Sequence, residues 1–219
     1  MNLLDLLNDA LPVLLRGTGY TLLFAVAAML GGTLLGFPLA IARIVPWPWL
    51  QRLAAAYVSM MRGTPLLVQV FLIYYGLPSV GIEFSPVAAG TLALSLNAAA
   101  YLSEALRGAL LGVTAGQWSA GYSLGLTYPQ TLRFVVLPQA LRTAVPGMSN
   151  TLISLIKDTS LVSVITVTEL MLAAKEVIAI TFRPLPIYLM AAAIYWLLSF
   201  AFERLQARVE RRLNQAHRA

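Results

Sequence analysis

Two groups of polar residues stand where their types and spacing invite chemistry. Asn97, Tyr101 and Glu104 recur at i, i+4 and i+7, which puts them on one side of a helix inside an otherwise apolar run. Lys157, Asp158, Thr159 and Ser160 follow one another in a second apolar run. Ionisable groups inside hydrophobic segments are costly, and they mark either a route for polar solutes or a charge network that holds helices together. Glu104 precedes Arg107 by three positions and can pair with it. Lys157 and Asp158 are adjacent, so on a helix they point about 100° apart and each needs another partner or water. Bond-making chemistry has no such support. The chain has no cysteine, and its single histidine, His217, lies near the C-terminus. It holds no acid–base dyad, nucleophile or metal cluster, and no Gly-x-x-x-x-Gly-Lys-Ser/Thr phosphate loop. A chain of this kind does not hydrolyse ATP itself.

The segments that carry these residues belong in a bilayer. Of 219 residues, 59% are hydrophobic and 11% charged, and the mean hydropathy is +0.77. A soluble domain carries about 25% charged residues. With about 20 residues needed per crossing, the expectation is an all-α membrane protein of about five spans: 18–41, 54–77, 87–111, 146–170 and 187–202. These form one transmembrane domain, 17–203. Residues 1–16 place Leu3, Leu6, Leu7, Leu11 and Leu14 on one side and Asp5, Asn8 and Asp9 on another, and are expected to lie along the membrane surface. Without a basic start, this segment does not look like a cleaved signal peptide. Residues 204–219 read as a basic amphipathic tail on the inner leaflet. Gly32 and Gly36 permit close helix approach, and Arg62-Gly63-Thr64-Pro65 interrupts the second span. Residues 169–183 read as an amphipathic external segment able to touch a soluble binding protein.

The net charge of +6 does not call for nucleic acid, because cytoplasmic loops collect Lys and Arg. Arg43, Arg52, Arg107, Arg133, Arg142 and the arginine tail fall on one side of a five-span layout. That side is expected to be cytoplasmic, with the N-terminus outside. A loop at 112–145 then faces the cytoplasm. Within it, residues 116–138 are glycine-punctuated and polar. Trp118, Tyr122 and Leu126 recur at helical spacing, Thr127-Tyr128-Pro129 breaks the pattern, and Phe134-Val135-Val136-Leu137 ends at Pro138. A short helix, a turn and a second short element make a knob suited to a groove on a cytosolic partner.

This loop resembles the coupling loop of ABC importer permeases, whose pattern is Glu-Ala-Ala, three residues, Gly, and later Leu-Pro. The matching positions are Ser119-Ala120-Gly121, Gly125 and Leu137-Pro138; the acidic position is a serine. Arg62-Gly63-Thr64-Pro65-Leu66, the run from Leu94 to Tyr101, and the run from Ser154 to Leu161 are similar to the polar amino acid branch of that family. Gly76-Leu77-Pro78, Gly81-Ile82-Glu83, Gly116-Gln117-Trp118 and Ile194-Tyr195-Trp196 resemble its L-cystine uptake subgroup. The resemblance implies a type I importer permease fold in a bacterial inner membrane. It also implies partners: ATPase subunits that bind ATP and Mg, a second permease copy or sister permease, and a periplasmic solute-binding protein. An amino acid zwitterion needs an anionic and a cationic contact, which Asn97, Glu104, Lys157 and Asp158 are expected to supply, with Tyr101, Thr159 and Ser160 also on the substrate pathway. No cofactor is expected on this chain. The competing expectation is a stand-alone channel or secondary transporter for small polar solutes. Those often show internal repeats with matching broken helices, and none is visible here.

Overall fold

A computed structural model describes residues 3–215 as helices joined by short turns, with no strand among the described residues. The expectations for the side chains of Leu3, Asp5 and Leu213, and for His217 and Arg218, fall outside what is described. The elements in order are α1 (Leu3–Ala42), α2 (Pro48–Gly63), α3 (Leu66–Phe71), α4 (Pro86–Leu111), α5 (Ala115–Ser123), α6 (Tyr128–Thr131), α7 (Leu137–Asp158), α8 (Leu170–Thr181) and α9 (Pro184–Gln215). α3 runs on as a π-helical turn, Leu72–Gly76, and a 3-10 turn, Leu77–Val80. By length and apolar composition two helices, α1 and α9, can cross a membrane, and a third crossing arises if α2 and the α3 segment, bent by 105°, count as one. Five crossings had been expected. α4 and α7, of 26 and 22 residues, are long enough at about 1.5 Å per residue, but they carry the polar side chains that face inward.

α1 and α4 lie against each other along much of their length because glycines remove the side chains between them. A Cβ on Gly32 would sit 2.8 Å from the Ala98 Cβ, and one on Gly36 would sit 2.9 Å from the Ala99 carbonyl oxygen. The Gly-x-x-x-Gly pair therefore serves packing within the chain. Around it Phe24, Ala25, Ala28, Ala93, Leu94 and Ala98 form the central core with Leu155 and Ile156 of α7.

Three boundaries differ from expectation. No break separates residues 3–16 from the first span; α1 is continuous from Leu3, and Leu6, Ala10 and Leu14 are fully buried against α8 and α9 rather than laid on a lipid surface. Residues 169–183 are amphipathic as expected, with Lys175, Glu176, Ile180 and Phe182 exposed, but their other face is packed into the bundle. Leu170, Ala173, Ala174 and Val177 of α8 are buried in the same cluster, and Glu169 is wholly buried. The fourth span starts earlier than Pro146. The chain is helical from Tyr128 through a π-helical turn, Leu132–Val136, into α7, which absorbs Pro146 and stops at Asp158; Thr159–Ile165 is a 3-10 turn. Leu137-Pro138 therefore lies inside a continuous helical run, directly after the π-helical turn, instead of ending a separate element.

Two interruptions have their backbone groups taken up by side chains. At Thr64-Pro65 the Gln69 amide donates to the Met61 carbonyl at 2.8 Å and to Thr64 Oγ1 at 2.9 Å, while Asn97 of α4 donates to Gln69 Oε1 at 3.1 Å. Ahead of α8, Glu169 accepts from the Leu172 N–H at 2.8 Å and from the Tyr195 hydroxyl at 2.7 Å, and Thr21 Oγ1 accepts from the Leu170 N–H at 3.1 Å. The tight α1–α4 contact yields a direct expectation. Gly36→Leu lowers stability by about 2–3 kcal/mol through overpacking, read as thermal unfolding in detergent. Gly19→Ala, in the same helix and facing open space, does not lower it.

Candidate functional site: a polar cavity and a helical knob

A cavity of about 820 Å³ opens between the α2–α3 bend, α4 and α7. Asn97, Tyr101, Glu104, Lys157 and Asp158 all line it, so two sets of residues some sixty positions apart in the chain meet on one wall each. Thr159 and Ser160 do not join them. The change to 3-10 geometry at Thr159, with three residues per turn, turns both away: the buried Thr159 hydroxyl donates to the Ile156 carbonyl at 2.8 Å, and that of Ser160 to the Lys157 carbonyl at 2.7 Å. Arg62, Thr64, Asn150, Thr151 and Ser154 complete the polar lining. The Arg62-Gly63-Thr64-Pro65 interruption was legible as a break; that it forms a cavity wall was not, since this follows from the direction of the bend.

Glu104 has the densest charge environment. Its carboxylate pairs with Arg43 just beyond α1, with Arg107 one turn along α4 at 3.1 Å, and with Arg62 at the end of α2 at 3.4 Å. Arg107 forms a two-pronged contact, its second nitrogen donating to the other oxygen at 3.2 Å. Arg62 also lies over the Tyr101 ring, 5.4 Å from its centre. One carboxylate thus ties the ends of three helices. The expected Glu104–Arg107 pair is present, and Arg43 and Arg62, distant in sequence, are additions no local spacing could reveal. On the opposite wall, neither Lys157 nor Asp158 forms a salt bridge among the described residues. Lys157 is exposed and Asp158 half-buried. The Asn97 amide lines the cavity but is already bound to Gln69.

The second feature is the loop from 112 to 145. α5 ends in a Schellman turn: the Leu126 N–H donates to the Gly121 carbonyl at 3.2 Å and the Gly125 N–H to that of Tyr122 at 2.9 Å. Gly125 has φ +76, a conformation that penalises any side chain. Gly121 is needed for a different reason, since a Cβ there would come within 2.5 Å of the Thr131 methyl. Thr127 and Gln130 form a capping box that starts α6. Trp118 stacks on Tyr128, ring centres 5.4 Å apart, and the Tyr128 hydroxyl donates to the Ile44 carbonyl at 3.4 Å. Burial pushes the Tyr128 phenol above its ordinary pKa. Gln139 of α7 donates to Gln117 of α5 at 3.1 Å; this tie between the knob and a cavity-lining helix had no signal in the sequence. Ser119 and Ala120 are exposed on α5, and Leu137 and Pro138 lie behind it at the start of α7.

Comparison with known proteins agrees with this architecture. Residues 32–215 match the family of binding-protein-dependent transport system inner membrane components. The chain is 43% identical over 205 residues to the L-cystine transport system permease protein TcyB of Bacillus subtilis, covering 93% of this chain and 88% of that one. It is 36% identical over 207 residues to the glutamine transport system permease protein GlnP of Escherichia coli, covering 94% of each. A chain from the crystal structure of an amino acid ABC transporter with histidines superposes with a TM-score of 0.90 at 33% identity, covering 97% of this chain and 99% of that one. The knob, the broken second helix and the inward-facing polar wall are thus parts of an ABC importer permease of the type I fold, and the chain belongs to the family of binding-protein-dependent inner-membrane transport components.

Proposed function

We propose that this permease subunit moves polar amino acids through the 820 Å³ cavity, driven by ATPase subunits that dock on the 116–138 loop. The observation that carries the reading is the meeting of a cationic and an anionic side chain, Lys157 and Asp158, neither engaged in a salt bridge, with amides and hydroxyls on one cavity wall. Open space beside unengaged charges suits a zwitterion, whose two ends each need an opposite charge. Glu104 has a different part. Its carboxylate is engaged by three arginines, so it shapes the cavity's end instead of competing for solute. The knob is continuous with the cavity wall, because α6 runs through a π-helical turn into α7. A push on α5 passes through its packing and the Gln139–Gln117 contact to α7, and along that helix to Asn150, Ser154 and Asp158, a recognised form of switching.

The reading includes a second permease copy or sister subunit, a periplasmic binding protein and surrounding lipid. ATP and Mg reside on the ATPase. The N-terminus is outside and the C-terminus cytoplasmic, which puts Arg133, Arg142 and the arginines of α9 inside. L-cystine is the first solute to try, because the similar Bacillus subtilis protein is an L-cystine permease by name.

The test is reconstitution in nanodiscs with ATPase subunits and binding proteins loaded with L-cystine, glutamine or histidine. A loaded binding protein is expected to raise ATP turnover severalfold over the unloaded one. Solute movement by the purified chain alone would instead identify a stand-alone transporter. Asp158→Asn is expected to cut the maximal uptake rate at least tenfold while the complex still elutes intact; unchanged uptake removes Asp158 from the route. Glu104→Gln leaves three guanidinium groups facing one another and is expected to cost about 2 kcal/mol of stability. Combining it with Arg62→Gln should cost less than the sum of the two single changes, as a double-mutant cycle in thermal unfolding will read.

A further inference from the structure

Arg62 ends α2, lines the cavity and has a side chain that is 45% exposed. Its contact with Glu104, at 3.4 Å, is an ion pair without a hydrogen bond, whereas Arg107 gives the same carboxylate two hydrogen bonds, at 3.2 and 3.1 Å. Three guanidinium groups around one carboxylate leave positive charge in excess at this end of the cavity. The Tyr101 ring, 5.4 Å below, holds the Arg62 plane in place. A guanidinium offers five N–H donors in a planar fork that matches a carboxylate. Here that fork is aimed and unspent.

The fork stands well apart from Lys157 and Asp158. Gly147 of α7 abuts Ala105 of α4, and Val162 just beyond α7 abuts Gly90. Counting inward from both contacts puts Asp158 level with Leu94. Tyr101, under Arg62, lies seven residues further along α4, a separation of about 10 Å at the helical rise. An amino acid carries its ammonium and carboxylate on one carbon, so a single backbone does not engage both places at once. The cavity holds two charged stations in series. With the N-terminus outside, α4 runs inward, and Arg62 marks the inner station.

We propose that Arg62 is a second solute subsite, which receives the α-carboxylate of the amino acid after it leaves Lys157 and from which the solute is released to the cytoplasm. This rests on the reading of the cavity as the solute's route. Turning Arg62 from Glu104 to a solute costs little, because Glu104 keeps Arg43 and Arg107. A conducting path needs sites firm enough to draw a solute on and loose enough to let it go. A half-exposed fork at the inner end meets both demands.

The test uses the complete transporter in proteoliposomes, with the binding protein, loaded with L-cystine, glutamine or histidine, that most raises ATP turnover with the unaltered chain. Uptake and ATP turnover are measured separately for Arg62→Gln, Arg62→Lys, Tyr101→Leu and Asp158→Asn. Losing a charged hydrogen-bond partner is expected to cut uptake by Arg62→Gln about tenfold or more, while turnover stimulated by the loaded binding protein stays within about twofold. Arg62→Lys, which keeps the cation, is expected to recover most of the uptake. Tyr101→Leu removes the platform at an exposed position and keeps the charge; it is expected to lower uptake severalfold at unchanged turnover, and it carries the test should Arg62→Gln not assemble. Uptake and turnover that fall together, or Arg62→Lys no better than Arg62→Gln, overturn the subsite in favour of a structural part for Arg62. Normal uptake by Arg62→Gln with Asp158→Asn defective also overturns it and leaves the route standing. Normal uptake by both variants removes the route itself.

Discussion

A helix inside a bilayer can stop only where protein groups or a water-filled cavity take up its free backbone groups. That constraint sorts the polar residues of this protein. Gln69, Asn97 and Thr64 close the interruption between α2 and α3. Thr21, Glu169 and Tyr195 secure the start of α8. Only because these groups are spent on the backbone can the chain bend by 105° and open a wall toward the interior. Tyr101, Asn150, Ser154, Lys157 and Asp158 are among the polar groups that face the space so created.

The same division explains what could be read before the fold was known. The i, i+4, i+7 spacing of Asn97, Tyr101 and Glu104 located one cavity wall, because all three sit on a single uninterrupted helix. The knob was legible through glycine chemistry: Gly125 has the left-handed backbone that a helix end of this type requires. Thr159 and Ser160, expected on the substrate pathway, do not line this cavity, and nothing local tells an α-helix from the 3-10 turn that replaces it at Thr159. Arg43 and Arg62 were unreadable as partners of Glu104, since they arrive from other helices. The burial of Glu169 was not readable because the hydroxyl that binds it, that of Tyr195, lies far off in the chain. The leucine stripe of residues 3–14 was visible as a stripe, but hydrophobic periodicity does not say whether lipid or α8 covers it.

Rigid and adjustable parts alternate along the molecule. The α1–α4 contact is set by backbone-to-backbone approach at Gly32 and Gly36, with little room to slide. α2, by contrast, meets α4 through Tyr57, whose hydroxyl donates to the Leu96 carbonyl at 2.8 Å, and through the Glu104 contacts. α9 reaches the cavity helix through Gln206, which donates to Asn150 Oδ1 at 3.2 Å. Hydrogen bonds and ion pairs at long side chains tolerate small displacements that close-packed glycines do not.

The threefold sharing of Glu104 has a kinetic side. With one anion among three guanidinium groups, α2 or the end of α1 can let go while the others keep the carboxylate fully occupied. No moment of bare charge intervenes, so the barrier to trading one holder for another is low. The joint behaves less like a lock than like a hand passed along a rail, always gripped and free to travel.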